Sequence, residues 1–222
     1  YGIEVTGNAE AVTGADTILL VVKPQDVPPL LVEIAPTVDA TSTVVSLAAG
    51  ILIETLEAAL PTGVAVIRAM PNTPALVGEG RFGISAGTAC TDVKLAEVSA
   101  LLESGGKVVV VEESLQDAVT SVSGSGPAYV FYLAEAMIAG GIEAGLDEEV
   151  ARTLAAQTLV GSAKLLAESD ETAEELRLRV TSPNGTTAAA IATFDERGVS
   201  DALKAGVLAA AARSAELSKS AS

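Results

Sequence analysis

TILLVVKPQ, Thr17 to Gln25, is the stretch that decides the fold. Thr17 to Val22 is a short apolar block rich in β-branched residues, which reads as a buried strand, and Lys23-Pro24 ends it. Working outward, the same sign recurs at TVVSLA (Thr43 to Ala48), VAVIRAM (Val64 to Met70), FGISAG (Phe82 to Gly87) and KVVVV (Lys107 to Val111). Between several of these blocks lie helix-compatible segments, Asp26 to Ile34, Ile53 to Leu60 and Val93 to Glu103, the last following an Asp92 able to cap its start. Strands alternating with helices of this length imply βα units and a largely parallel sheet, at least up to Val64. After Val111 the strand blocks stop, and Ser114 to Ser218 reads as helix broken by Gly, Pro and Asn signals. The boundary is therefore placed near residue 111, between an α/β domain over 1–111 and an all-helical domain over 112–222. Five basic against twelve acidic residues precede it and eight against seventeen follow. Charge does not separate the halves; periodicity does.

A chain of 222 residues is long enough to bury a full core without staples. With 49% apolar but only 3% aromatic residues, that core must be built from Ala, Val, Leu and Ile. The net charge of -16 argues against a surface that wraps nucleic acid, which needs a basic stripe. Histidine is absent, which excludes a His-dependent triad and a His-ligated metal. No pair of acids is spaced for a metal, so none is expected. The single Cys90 cannot form an internal disulfide, which points to a reducing compartment and a cytoplasmic location. The chain opens on Tyr1 with no basic flank and apolar run, so a signal peptide is not expected and a fragment of a longer chain is.

In the helical half, Ala151, Leu154, Ala155, Thr158, Ser162 and Leu165 fall at three- and four-residue steps on a helix beginning near Asp147, a face for close helix approach. PAYVFYLAEAMIAGGI, Pro127 to Ile142, is apolar on nearly every side. It is shorter than the ~20 residues a membrane span needs and carries Glu135 near its middle. No membrane association is expected. A helix this apolar is expected at a subunit interface, which makes a second copy of the chain its partner.

Four motifs carry candidate chemistry, each beside an ordinary structural reading. VKPQ, Val22 to Gln25, sits where open α/β sheets bind ligands, and Lys23 suits an anionic cofactor; Pro24 is equally a strand stop. In MPNTP two prolines stiffen the backbone around Asn72, whose amide both donates and accepts; a rigid connection explains it as well. SGSGPAY, Ser123 to Tyr129, lacks the third glycine and the preceding strand of a dinucleotide fingerprint and reads as a helix break and restart. SPNGTT, Ser182 to Thr187, is the most informative. Pro183-Asn184-Gly185 is a turn, and Thr186 or Thr187 opens a helix running through Phe194 to a stop near Gly198. Free amides there, crowded by the hydroxyls of Ser182, Thr186 and Thr187, suit a small carboxylate; ordinary capping is the alternative.

The order VKPQ, SLAAGI (Ser46 to Ile51), RAMPNTP (Arg68 to Pro74), SGSGPAYVF (Ser123 to Phe131) and VTSPNGTT (Val180 to Thr187) resembles pyrroline-5-carboxylate reductases along essentially the whole chain. The resemblance implies a Rossmann-like N-terminal domain of the 6-phosphogluconate dehydrogenase type, incomplete here, and an all-α dimerisation domain interlocked with a partner subunit, with rings of dimers as the higher assembly. It implies NADPH- or NADH-dependent reduction of 1-pyrroline-5-carboxylate to L-proline, with Asn8, Val22, Lys23 and Pro24 on the cofactor and Asn72 and Thr73 near its nicotinamide. Ser182, Gly185, Thr186 and Thr187 would hold the substrate, with Thr187, the catalytic residue, reaching the imine nitrogen. Two departures stand out. Asn184 occupies a place where the family usually has Gly, and the family's Gly-rich loop with its first βαβ unit would precede Tyr1. These 222 residues alone are then expected to bind NADPH weakly. Two other functions are weighed against this one: a β-hydroxyacid dehydrogenase, for which Lys164 is the only mid-helix candidate, and a non-catalytic helical dimerisation protein.

Overall fold

In the computed structural model, which describes residues 2–220, the strand-forming blocks pair into one five-stranded sheet. The strands are β1 (Thr17–Leu20), β2 (Thr43–Ser46), β3 (Ala65–Met70), β4 (Gly80–Ala86) and β5 (Gly106–Val110), side by side in that order. β1, β2 and β3 are parallel, as expected; β4 runs antiparallel to β3, and β5 parallel to β4. The reversal has a steric origin. Only residues 71–79 join β3 to β4, fewer than the dozen or so that a parallel crossover requires.

Alternating side chains feed two cores, as the period of two in a strand dictates. Val44 and Val66 pack with Val27, Leu31 and Leu56 of the helices α2 (Val27–Ile34) and α3 (Ile53–Ala59). Val45 and Ile67 pack on the other face with Val98 and Leu102 of α4 (Asp92–Leu102). α1 (Asn8–Val12) adds Val12 to the first core. Two local expectations change. α4 is capped by Thr91, whose hydroxyl accepts the Lys94 N–H at 3.3 Å, so Asp92 is a first-turn acid rather than the cap. β1 ends at Leu20 opposite the last residue of β2, leaving Val21 and Val22 exposed beyond the ladder.

The described chain divides into two compact units: residues up to Ser125 together with those from Leu208 onward, and Gly126–Val207. Residues past Val111 join the first unit through buried polar ties that hydrophobic periodicity does not register. Fully buried Gln116, at the start of α5 (Gln116–Val119), donates to the Gly83 carbonyl at 3.2 Å and the Ser85 hydroxyl at 2.8 Å of β4. Ser214 of α10 (Val199–Ser220) donates to Asp117 at 2.6 Å.

The second unit comprises α6 (Gly126–Glu143), α7 (Glu148–Glu168), α8 (Ala173–Arg179), α9 (Thr186–Glu196) and the first part of α10. α6 and α7 pack closely: a Cβ placed on Gly141 would lie 3.3 Å from that of Ala151. Ala151 and Ala155 are the only buried hydrophobic side chains among its described residues. Leu154 and Leu165, read from the sequence as part of the same face, are exposed in the chain, as are Val130, Phe131, Tyr132 and Leu133 of α6. No described helix is long and apolar enough to cross a membrane.

Candidate active site

Because β1, β2 and β3 are parallel, the segments that follow them share one edge of the sheet, the edge at which α/β sheets take ligands. After β1, Lys23 is extended, exposed and without an ion pair among the described residues, and it leads into a 3₁₀ turn over Pro24–Asp26. After β2 come Ala49 and Gly50. Gly50 has φ 78°, which disfavours any side chain, and a Cβ there would be in van der Waals contact with the α10 backbone at Leu217 and Ser218, 3.5 to 3.6 Å away.

These segments border a cavity of ≈ 700 Å³. Pro24, Gln25 and Pro28 form one side and Ala49 with Gly50 another. Thr120, Ser125 and the α10 residues Arg213, Ser214 and Leu217 complete it. Of the expected cofactor residues, only Pro24 lines this cavity. Asn8 and Val22 line a second one, ≈ 390 Å³, along β1, where Asn8 also donates to Glu33 at 3.0 Å. Asn72 and Thr73 border neither; Thr73 is exposed at the head of a 3₁₀ turn ending at Val77.

Ala49 and Gly50 could have been found from the sequence by the argument applied to VKPQ, since they too follow a strand block. Ser125 lies in the SGSGPAY segment, read from the sequence only as a helix break and restart, and Thr120 and Arg213 come from distant segments with no local signal.

In the second unit, SPNGTT forms the expected turn. Gly185 donates its N–H to the Ser182 carbonyl at 3.0 Å, and Asn184, at φ 59°, is the only non-glycine with positive φ among the described residues. Pro at the second position and positive φ at the third is the type II pattern. Gly185 is the N-cap of α9, which ends at Glu196 before Gly198 turns the chain at φ 65°. No side chain caps this helix. The N-cap residue is a glycine and has no side chain to cap with. Ser182, Gly185, Thr186 and Thr187 stand together at one helix start, Ser182 and Thr186 exposed and Gly185 and Thr187 half-buried, and the first-turn amides of a helix have no intrahelical partner.

Two further groups bear on chemistry. Arg68, buried in the middle of the sheet, pairs with Glu113 at 3.1 Å, and the same carboxylate oxygen accepts the Ile53 N–H at 2.8 Å. Burial pushes the Cys90 thiol up, which suits a packing residue and not a nucleophile. No cluster of His, Cys, Asp and Glu able to hold a metal occurs among the described residues.

Residues 1–50 match the family model for NADP oxidoreductases of the coenzyme F420-dependent type, which with the sheet and its edge cavity puts the chain among two-domain nicotinamide-nucleotide oxidoreductases. Residues 113–217 match the model for pyrroline-5-carboxylate reductase dimerisation. The chain is 43% identical over 240 residues to a pyrroline-5-carboxylate reductase of Mycobacterium tuberculosis, covering 98% of this chain and 81% of that one. A reductase structure from Coxiella burnetii superposes with a TM-score of 0.90 at 30% identity, over 96% of this chain and 80% of the other. One from Plasmodium falciparum, with NADP bound, gives 0.88 at 29% over 96% and 81%. The chain belongs to the pyrroline-5-carboxylate reductase family.

Proposed function

We propose that this chain reduces 1-pyrroline-5-carboxylate to L-proline, the last step of proline biosynthesis, as an NAD(P)H-dependent imine reductase. The observation that carries the reading is the start of α9, where Ser182, Thr186 and Thr187 flank a first turn whose N-cap is Gly185 and which no side chain caps.

NADPH or NADH supplies the hydride when bound. The residues at the sheet edge fit that group: Ala49 and Gly50 present almost no side chain to a flat ring, and Lys23 stands beside Pro24 with its charge uncommitted among the described residues. Lys23 and Pro24, with Val22 and Asn8, would hold the cofactor, and Thr73 would serve its nicotinamide end. In this reading residues 1–111, with the cavity wall of Thr120, Ser125 and the end of α10, serve the cofactor, and the rest of 112–222 serves substrate binding and dimerisation.

At α9 the amides and the hydroxyls of Ser182 and Thr186 hold the substrate carboxylate, Gly185 leaves room for the ring, and the Thr187 hydroxyl orients the imine nitrogen. A cyclic imine protonates in solution near neutral pH, so the chain binds the iminium already formed and needs no histidine to make it. The ring loses its positive charge as hydride arrives. The rate then rests on holding donor and acceptor at a near-attack distance of ~3 to 3.5 Å.

The enzyme works as a homodimer through α6 and its neighbours, with rings of dimers as the higher assembly, in the cytoplasm where Cys90 stays reduced. The β-hydroxyacid alternative needs a lysine facing the cofactor from a buried helix; Lys164 is instead exposed and 3.8 Å from Glu168.

Competition kinetics test the carboxylate site. Cyclopentanecarboxylate should compete with the imine, and cyclopentanol, which lacks the carboxylate, should not. Equal inhibition by both would remove α9 as the carboxylate holder. Quenching of protein-bound NADPH fluorescence in the full-length protein separates the enzyme from a purely structural dimerisation protein.

A further inference from the structure

We infer that Asn72 is a positioning residue, whose side-chain amide ties β3 and β4 to a π-helical turn that walls the sheet-edge cavity, rather than a direct contact to the nicotinamide. The inference rests on the reductase reading above.

Both ends of the amide are engaged. Its Oδ1 accepts the N–H of Arg81 in β4 at 2.8 Å, and its Nδ2 donates to the carbonyl and the hydroxyl of Ser123 at 3.2 and 3.3 Å. Ser123 belongs to a π-helical turn, Thr120–Gly124, closed by the Ser125 N–H on the Thr120 carbonyl at 2.8 Å. Such turns are rare, favour functional sites and are held by their surroundings. This one is held twice. Besides Asn72, the last residue of β3 packs on it: a Cβ on Gly124 would lie 2.6 Å from Met70 Cε, the end of a flexible side chain, so the Met70 methyl rests on the turn at Gly124. The residues at the two ends of the turn, Thr120 and Ser125, line the ≈ 700 Å³ cavity. Asn72 therefore reaches the cavity through Ser123, and an amide committed in this way has little capacity left for a ligand carboxamide.

The test is a double-mutant cycle on the full-length enzyme, with rates normalised to titrated active sites. Asn72→Ala should lower kcat about tenfold while the KM for NADPH moves less than about twofold, the split expected when an aligned geometry and not a binding contact is lost. Ser123→Ala removes one of the two acceptors of the Asn72 Nδ2, so the double variant should be no slower than the worse single one. If Ser123→Ala does not fold, Gly124→Ala, which crowds the Met70 methyl against the turn, takes its place in the cycle. A rise of about tenfold in KM for NADPH with kcat retained, or effects that multiply, would overturn the inference. A normalised kcat equal to wild type would do so too, since Asn72 would then serve folding alone. A wild-type enzyme without imine turnover would instead sink the reductase reading itself.

Discussion

Thr187 carries two polar groups with separate jobs. Its backbone amide, one of several at the α9 start, survives any side-chain change, whereas its hydroxyl is lost on truncation. Thr187→Ala should lower kcat/KM about ten- to a hundredfold, the ~1.5 to 3 kcal/mol of a charge-assisted hydrogen bond, while Thr187→Ser loses much less and NADPH affinity hardly changes. Steady-state kinetics on the pair decide it: equal losses would transfer the effect from the hydroxyl to packing of the helix start. Glu113 matters differently. Its carboxylate is the charge partner of Arg68, whose side chain is only 6% exposed. Glu113→Ala should destabilise the protein by an amount near the lower end of ~3 to 5 kcal/mol, because Glu113 is itself 30% exposed while Arg68 is left buried and unpaired. Urea melts should show a lower midpoint at unchanged slope; an unshifted midpoint would mean that water already compensates Arg68.

At the scale of elements, the SPNGTT turn gives a backbone prediction. Asn184 sits in the left-handed region, where a side chain with a Cβ costs roughly 1 to 2 kcal/mol and asparagine less than most. Asn184→Gly should therefore keep activity and raise or maintain Tm, and Asn184→Ala should lower Tm. A calorimetric scan in which alanine matches glycine would show that the turn relaxes to another form. This turn was legible from the chain alone because Pro, Asn and Gly have fixed preferences at such positions. So were the five strands, whose β-branched runs are bounded by clear stops. The cap of α4 was less so: Thr91 and Asp92 are both good caps, and only the Thr91 hydroxyl bond to Lys94 chooses between them. Asn72 was singled out as a donating and accepting amide in a stiff loop, suited to a carboxamide ring; its partners Arg81 and Ser123 are set by tertiary pairing that no local pattern encodes.

For the molecule as a whole, the second unit presents an energetic problem. Its helices leave Val130, Phe131, Tyr132, Leu154 and Leu165 exposed while burying Ala151 and Ala155, far too little apolar area to hold such a bundle in water alone. A second copy resolves it, so light scattering should give a dimer or larger at low micromolar concentration, and Tm should rise with protein concentration. A stable monomer would refute the interface. The sequence announced that need through the all-round apolarity of Pro127 to Ile142, whereas the cavity wall built by Thr120, Ser125 and α10 was hidden, since its residues meet only in the folded unit. The most direct test of the whole account is product analysis: the full-length protein, given 1-pyrroline-5-carboxylate and NADPH, should form one L-proline for each NADPH oxidised and leave β-hydroxyacids untouched with NADP. Turnover of a β-hydroxyacid, or NADPH oxidation without proline, would contradict it.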